Sequence, residues 1–158
     1  MQTTNVMRLL KEARIDFVGY EYDASRGVDA VSVAKSLQKP VEQIFKTLVT
    51  EGKPREYFVF VVPACNELNL KKAARAAGQK SVEMLPQKRL LSTTGYIHGG
   101  CSPVGMKKLF PTFIDESAIL FDTICVSGGK VGVTLELNAE KLANFIGAKF
   151  CDLTSGVL

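Results

Sequence analysis

Ile44-Phe45-Lys46-Thr47-Leu48-Val49-Thr50-Glu51, then Gly52-Lys53-Pro54, then Glu56-Tyr57-Phe58-Val59-Phe60-Val61-Val62, is the stretch that decides the fold. Both runs are rich in β-branched and aromatic residues, which suit a pleated, half-buried surface. The Gly-Lys-Pro between them turns the chain back, so the stretch predicts a hairpin. The second run is nearly all apolar, so its strand lies deep in a sheet.

Toward the N-terminus, Val28 to Leu37 predicts a helix that stops near Pro40. Phe17 to Tyr22 predicts a short strand. Val6, Leu9, Leu10 and Ala13 recur at helical spacing, with Thr3 or Thr4 as the cap. Toward the C-terminus, Leu70 to Ala77 predicts a helix capped by Asn69 and ended by Gly78. Leu85 to Leu91 predicts another. Ser92 to Gly105 is a loop rich in glycine and hydroxyls. Thr112 to Asp115, Thr123 to Val126 and Val131 to Leu137 predict strands, with Gly128-Gly129 as a tight turn between the last two. Asn138 caps a last helix, Ala139 to Ile146, which Gly147 closes. Helices and hairpins mix without strict alternation. The expected class is therefore α+β, a single domain over residues 1–158 with a mixed, mostly antiparallel sheet.

With 158 residues, 46% hydrophobic and 23% charged, the chain has the balance of a folded domain rather than a disordered segment. No apolar run approaches the roughly 20 residues that span a bilayer. Cys65, Cys101, Cys125 and Cys151 are widely spaced and form no CxxC pair, which argues against a zinc knuckle or a disulfide framework. The expected setting is reducing and cytoplasmic. Charge is unevenly placed. Lys71, Lys72, Arg75, Lys80, Lys88, Arg89, Lys107 and Lys108 face a single acid, Glu83, between residues 69 and 110. That segment is +7 in a chain of +4, so the remainder is −3. Such a segment is either the footprint of a polyanion or a lysine-rich solvated face.

Several chemistries are absent. There is no GxxxxGK[ST] loop and no GxGxxG after a strand, so nucleotide hydrolysis has no support. His98 is the single histidine, so no HExxH helix or histidine-rich metal site exists. Asp115-Glu116 would point to opposite sides of a strand, which disfavours a paired-carboxylate mechanism. His98 next to Ser102 or Cys101 lacks an orienting third group. What stands out is Lys46, between Ile44 and Leu48 on one strand face. It reads either as a snorkelling side chain on an edge strand or as a cation at the floor of a cleft. Gly99-Gly100-Cys101-Ser102 and Ser127-Gly128-Gly129-Lys130 allow close backbone approach and read as tight turns or as anion cradles. Glycine backbone, the hydroxyls of Thr47, Ser102 and Ser127, and one lysine would suit a polyanion with a small recognised end.

At these residues the chain resembles a known family. Phe45-Lys46-Thr47-Leu48, Leu70-Lys71-Lys72, Ser92-Thr93-Thr94-Gly95-Tyr96, Gly99-Gly100-Cys101-Ser102-Pro103-Val104-Gly105 and Val126-Ser127-Gly128-Gly129-Lys130 look like the motifs of the YbaK/EbsC family of Cys-tRNA(Pro) deacylases. The likeness runs nearly end to end, with the motifs in the family's order. It implies a sheet curled toward a barrel, with flanking helices, as in the editing domain of some prolyl-tRNA synthetases. It implies tRNA and prolyl-tRNA synthetase as partners, and no metal or cofactor. By position, it implies catalytic roles for Lys46, Gly99 and Ser127. Tyr20, Thr47, Gly100, Ser102, Gly128, Gly129 and Lys130 would bind substrate. Two positions depart from the pattern: Asp29-Ala30 replaces an aromatic-glycine pair, and Thr134 replaces an acid. Alternatives to cysteine release are an Ala- or Ser-tRNA deacylase using water, a non-catalytic tRNA-binding module, and a small-molecule acyl hydrolase.

Overall fold

The computed structural model describes residues 2–157. The hairpin forms as the sequence predicts. β2 (Phe45–Glu51) and β3 (Tyr57–Pro63) pair antiparallel from Phe45–Pro63 to Glu51–Tyr57. They follow α1 (Asn5–Glu12), β1 (Phe17–Glu21) and α2 (Ala30–Leu37). Thr4 caps α1 and Asp29 caps α2, so α2 starts two residues later than Val28. Next come β4 (Asn66–Leu68), α3 (Leu70–Ala76, capped by Asn69), β5 (Glu83–Met84) and α4 (Leu90–Thr94). The chain closes with β6 (Thr112–Asp115), β7 (Ile124–Ser127), β8 (Val133–Leu137), α5 (Ala139–Ile146), β9 (Lys149–Cys151) and β10 (Thr154–Val157).

The strands form three sheets, of order β5-β2-β3-β6-β9, β1-β8-β7 and β10-β4. The β3–β6 and β6–β9 pairs are parallel and the other ladders antiparallel, so the class is mixed α+β as expected. The sheets do not close into a barrel. One parallel bridge, Ile44 to Cys125, joins the five-stranded sheet to the three-stranded one.

Two packing layers hold this arrangement. Val6 and Leu10 of α1 and Leu142 and Ile146 of α5 bury against Ile114, Ile124 and Leu135. On the other side, Ala73 and Ala74 of α3 cover Phe58, Phe60 and Val62. Phe60 stacks on Phe113 at 5.4 Å.

Three local readings are corrected. The helix expected from Leu85 begins at Leu90, after a 3-10 turn over Gln87–Arg89. Leu85 N still donates to Val49 O at 3.0 Å, so the chain remains strand-like there. Pro86 then cannot continue a ladder. Gly128-Gly129 is not a two-residue turn. Gly128 N donates to Val133 O at 2.8 Å and Val133 N to Lys130 O at 3.1 Å, so the loop runs to Gly132 and β8 starts at Val133. Asp115 is buried, accepts from Leu153 N at 3.0 Å and opens a 3-10 turn, while Glu116 is exposed on it.

Candidate active site

A cavity of about 300 Å³ opens beside β2, between the N-terminus of α2, the loop at Gly99 and the β7–β8 hairpin. The position follows from the pairing of β2. Ala64 N donates to Ile44 O at 2.7 Å and Gly52 N to Glu56 O at 2.9 Å. Even-numbered residues of β2 therefore turn their peptide groups to β3, and odd-numbered ones to the opposite edge. On that edge β5 pairs only with Thr50 and Glu51, and Leu85 takes the Val49 carbonyl. The bridge at Ile44 closes the other end. Thr47 falls in the gap between these two ends. Its hydroxyl oxygen is buried and has no hydrogen-bond partner among the described residues.

Lys46 lines the same cavity. β5 covers β2 only at Thr50 and Glu51, so this stretch of β2 is open on that edge, and the lysine lines the cavity there. The side chain is half-buried and makes no ion pair or hydrogen bond among the described residues. Burial pulls its pKa below the usual lysine range, and the charges of Glu67 and Cys65 partly oppose this. A cation kept without a partner, where burial penalises it, is poised for an anionic ligand.

Gly99 and Ser127 complete the walls. Gly99 has φ +86°, a left-handed conformation that a side chain would strain. Ser127 Oγ accepts from Gly129 N at 3.2 Å, which seats the hydroxyl at the base of its hairpin. Cys101 reaches the cavity too, but it is 8% exposed and its thiol is pushed up to about 12 by burial. It is a neutral thiol at physiological pH and a poor nucleophile. Ser102 is fully buried and accepts from Val104 N at 3.2 Å, and His98 is exposed at the cavity wall. No hydrogen bond joins His98 to Ser102 among the described residues.

Lys46, Thr47, Gly99 and Ser127 thus share one cavity, and the other six expected site residues do not line it. Tyr20 donates to Glu136 Oε1 at 2.7 Å, in a network where Lys39 and Thr123 donate to Oε2 at 3.1 and 2.6 Å. That network holds Glu136 below the usual carboxylate range, chiefly through Thr123. Tyr22, one step past the end of β1, takes the cavity position instead. Gly100, Gly128 and Gly129 build the loops rather than the walls. A Cβ on Gly100 would meet Val131 N at 3.0 Å, and one on Gly128 would meet Val133 Cγ1 at 2.6 Å. Gly129 has φ +96°. Lys130 is exposed. Asp29, Ala30 and Thr134, singled out above only as departures, all line the cavity. No cluster of metal-ligating side chains occurs among the described residues.

The site offers an unpaired cation, glycine backbone and hydroxyls, with no nucleophile–base hydrogen bond among the described residues: it suits binding and oxyanion stabilisation rather than covalent catalysis. Comparison with known proteins identifies the family. The model of the aminoacyl-tRNA editing domain family matches residues 25–145. A protein of Enterococcus faecalis named Cys-tRNA(Pro)/Cys-tRNA(Cys) deacylase EbsC is 45% identical over 155 residues, 98% of this chain and 94% of the relative. A crystal structure described as a trans-editing enzyme for prolyl tRNA synthetase superposes with TM-score 0.84 at 26% identity, covering 99% of this chain and 100% of that one. That of a hypothetical protein superposes with TM-score 0.87 at 21% identity, covering 95% and 99%, and shows the shared fold. The chain belongs to the aminoacyl-tRNA editing domain family.

Proposed function

We propose that this protein is a trans-editing deacylase that removes cysteine from mischarged Cys-tRNA(Pro), and also acts on Cys-tRNA(Cys). The observation that carries this reading is Lys46, a half-buried cation without a partner among the described residues, beside the buried, unpartnered hydroxyl of Thr47. The relative 45% identical to this chain bears the name of that activity. Lys46 grips the phosphate or ribose of the terminal adenosine. Gly99 offers main-chain groups to the aminoacyl ester, Thr47 its hydroxyl, and Ser127 lies alongside.

The reaction needs no nucleophile from the protein. The substrate's own thiolate attacks its ester carbonyl. A carbon–sulfur bond forms, the carbon–oxygen bond to the ribose breaks, and the thiol proton ends on the ribose hydroxyl. The products are a cysteine thiolactone and free tRNA. Making the attack intramolecular is worth several kcal/mol if the geometry is held; well-oriented cases reach about 7–11 kcal/mol. Requiring a thiol also adds to discrimination, since a pocket separates amino acids that differ by one small group by only about 1–3 kcal/mol.

The domain is small, and prolyl-tRNA synthetase is the proposed partner that supplies tRNA identity, in the cytoplasm. No helix among the described residues is long and apolar enough to cross a membrane. A panel of Cys-, Ala- and Ser-tRNA(Pro), with and without the synthetase, tests the reading. Cysteine should be released preferentially, and S-methyl-Cys-tRNA should resist. Equal release of Cys and S-methyl-Cys would eliminate the substrate-thiol route. Faster release of Ala or Ser would favour water attack.

A further inference from the structure

Among the side chains that line the cavity there is one carboxylate, Asp29, and one lysine, Lys46. They do not ion-pair with each other or with any other described residue. Asp29 is held in place by its role as the cap of α2. Its Oδ2 accepts from Ser32 N at 3.2 Å and its Oδ1 from Ser32 Oγ at 2.6 Å. These bonds, the hydroxyl's first, hold its pKa below the usual carboxylate range, so it is ionised at neutral pH. Each oxygen retains a free lone pair for a further donor. Thr134, also on the wall, is uncharged and offers no competing carboxylate.

A hollow with a fixed anion and a separate cation suits a ligand that carries the opposite pair. The end of an aminoacyl-RNA is such a ligand. A phosphodiester lies on one side of the terminal ribose, and the α-ammonium lies beside the ester carbonyl on the other. Resting on the deacylase reading above, we propose that Asp29 receives the α-ammonium of the esterified amino acid while Lys46 holds the nucleotide. The cavity thereby selects esters with a free amine over N-acylated ones. The two contacts also set the direction in which the ester lies, because the reverse placement would bring the phosphate against Asp29.

The test crosses two variants with two substrates. Asp29→Asn and Asp29→Ser remove the charge but keep residues that cap helices well. Their thermal unfolding, measured beside wild type, reports whether the cap survives. The substrates are Cys-tRNA(Pro) and N-acetyl-Cys-tRNA(Pro), both with a free thiol. Assays run at about pH 6.5, below the usual α-amino range of about 7.7–8.0. Wild type should prefer the free amine, and both variants should lose that preference by about two- to fivefold in kcat/KM, the scale of an exposed ion pair. The proposal is overturned if wild type shows no preference. It is also overturned if the variants slow both substrates alike, which would mark Asp29 as a helix cap alone. A wild type that releases cysteine from neither ester removes the deacylase reading itself, and this proposal with it.

Discussion

At position 46 the chain keeps a half-buried ammonium that packing alone would replace with an apolar side chain. Lys46→Met should therefore lower kcat/KM for Cys-tRNA(Pro) by at least about 100-fold, the scale of losing a charge-stabilising contact. It should leave Tm equal or higher, where about 1 kcal/mol corresponds to about 2–4 °C. The pH dependence follows from linkage. Burial lowers the folded-state pKa of Lys46, so between that value and the ordinary 10.5 the unfolded chain binds more protons. Wild-type stability therefore gains from this group as pH rises through that window. The stability advantage of Lys46→Met should shrink from pH 8 toward pH 10.5 in urea titrations, while wild-type deacylation should fall as the ammonium deprotonates. A constant gap across that range would contradict a buried cation at this position. Lys46 was legible because strand alternation placed it between Ile44 and Leu48. Tyr20 was not, because its role depends on Glu136, 116 residues away, and local sequence carries no sign of that bond.

Among the elements, the helices were legible where caps and stops are local. Asn138 accepts from Lys141 N at 2.9 Å and Gly147 ends α5 in the left-handed region, as the sequence indicates. The two- to four-residue strands β4, β5, β9 and β10 were not, because they are too short for a period and exist through their partners. The hairpin loop from Ser127 to Gly132 shows the same limit, since its length is set by Gly128 packing under Val133. Two glycine substitutions separate conformation from packing. Gly99→Ala meets only Val131 Cγ2 at 3.5 Å but must hold φ +86°, and should cost about 1–2 kcal/mol. Gly128→Ala puts a Cβ 2.6 Å from Val133 Cγ1 and should cost about 1–3 kcal/mol through overpacking. Chemical denaturation measures both. Shortening Val133 to alanine should recover stability in Gly128→Ala and not in Gly99→Ala.

Across the whole molecule, the +7 segment from residue 69 to 110 resolves into two kinds of cation. Lys72 pairs with Asp152 at 2.9 Å and Arg89 with Glu51 at 3.0 Å, so these two serve the fold. Lys71, Arg75, Lys80, Lys88, Lys107 and Lys108 are exposed and have no acidic partner among the described residues. Lys107 reaches the Ser92 carbonyl at 3.3 Å, which sets it against α4, and Leu90 of that helix lines the cavity. An RNA whose end enters the cavity would therefore pass near Lys107 and Lys108. Counterion release makes such binding salt-dependent, with a log–log slope of about −0.7 per phosphate neutralised on single-stranded RNA and about −0.9 on duplex DNA. Lys107→Glu/Lys108→Glu should raise KM for Cys-tRNA(Pro) and flatten its salt slope by one to two such increments, leaving kcat near wild type because neither residue lines the cavity. A 3′-cysteinyl adenosine, which carries no acceptor stem, should be processed alike by variant and wild type. The Lys71→Glu/Arg75→Glu pair on α3 serves as the comparison. An equal effect from both pairs would mean a diffuse field that attracts RNA without a track. A larger effect at Lys107 and Lys108 would place the acceptor stem along the α4 side of the cavity mouth.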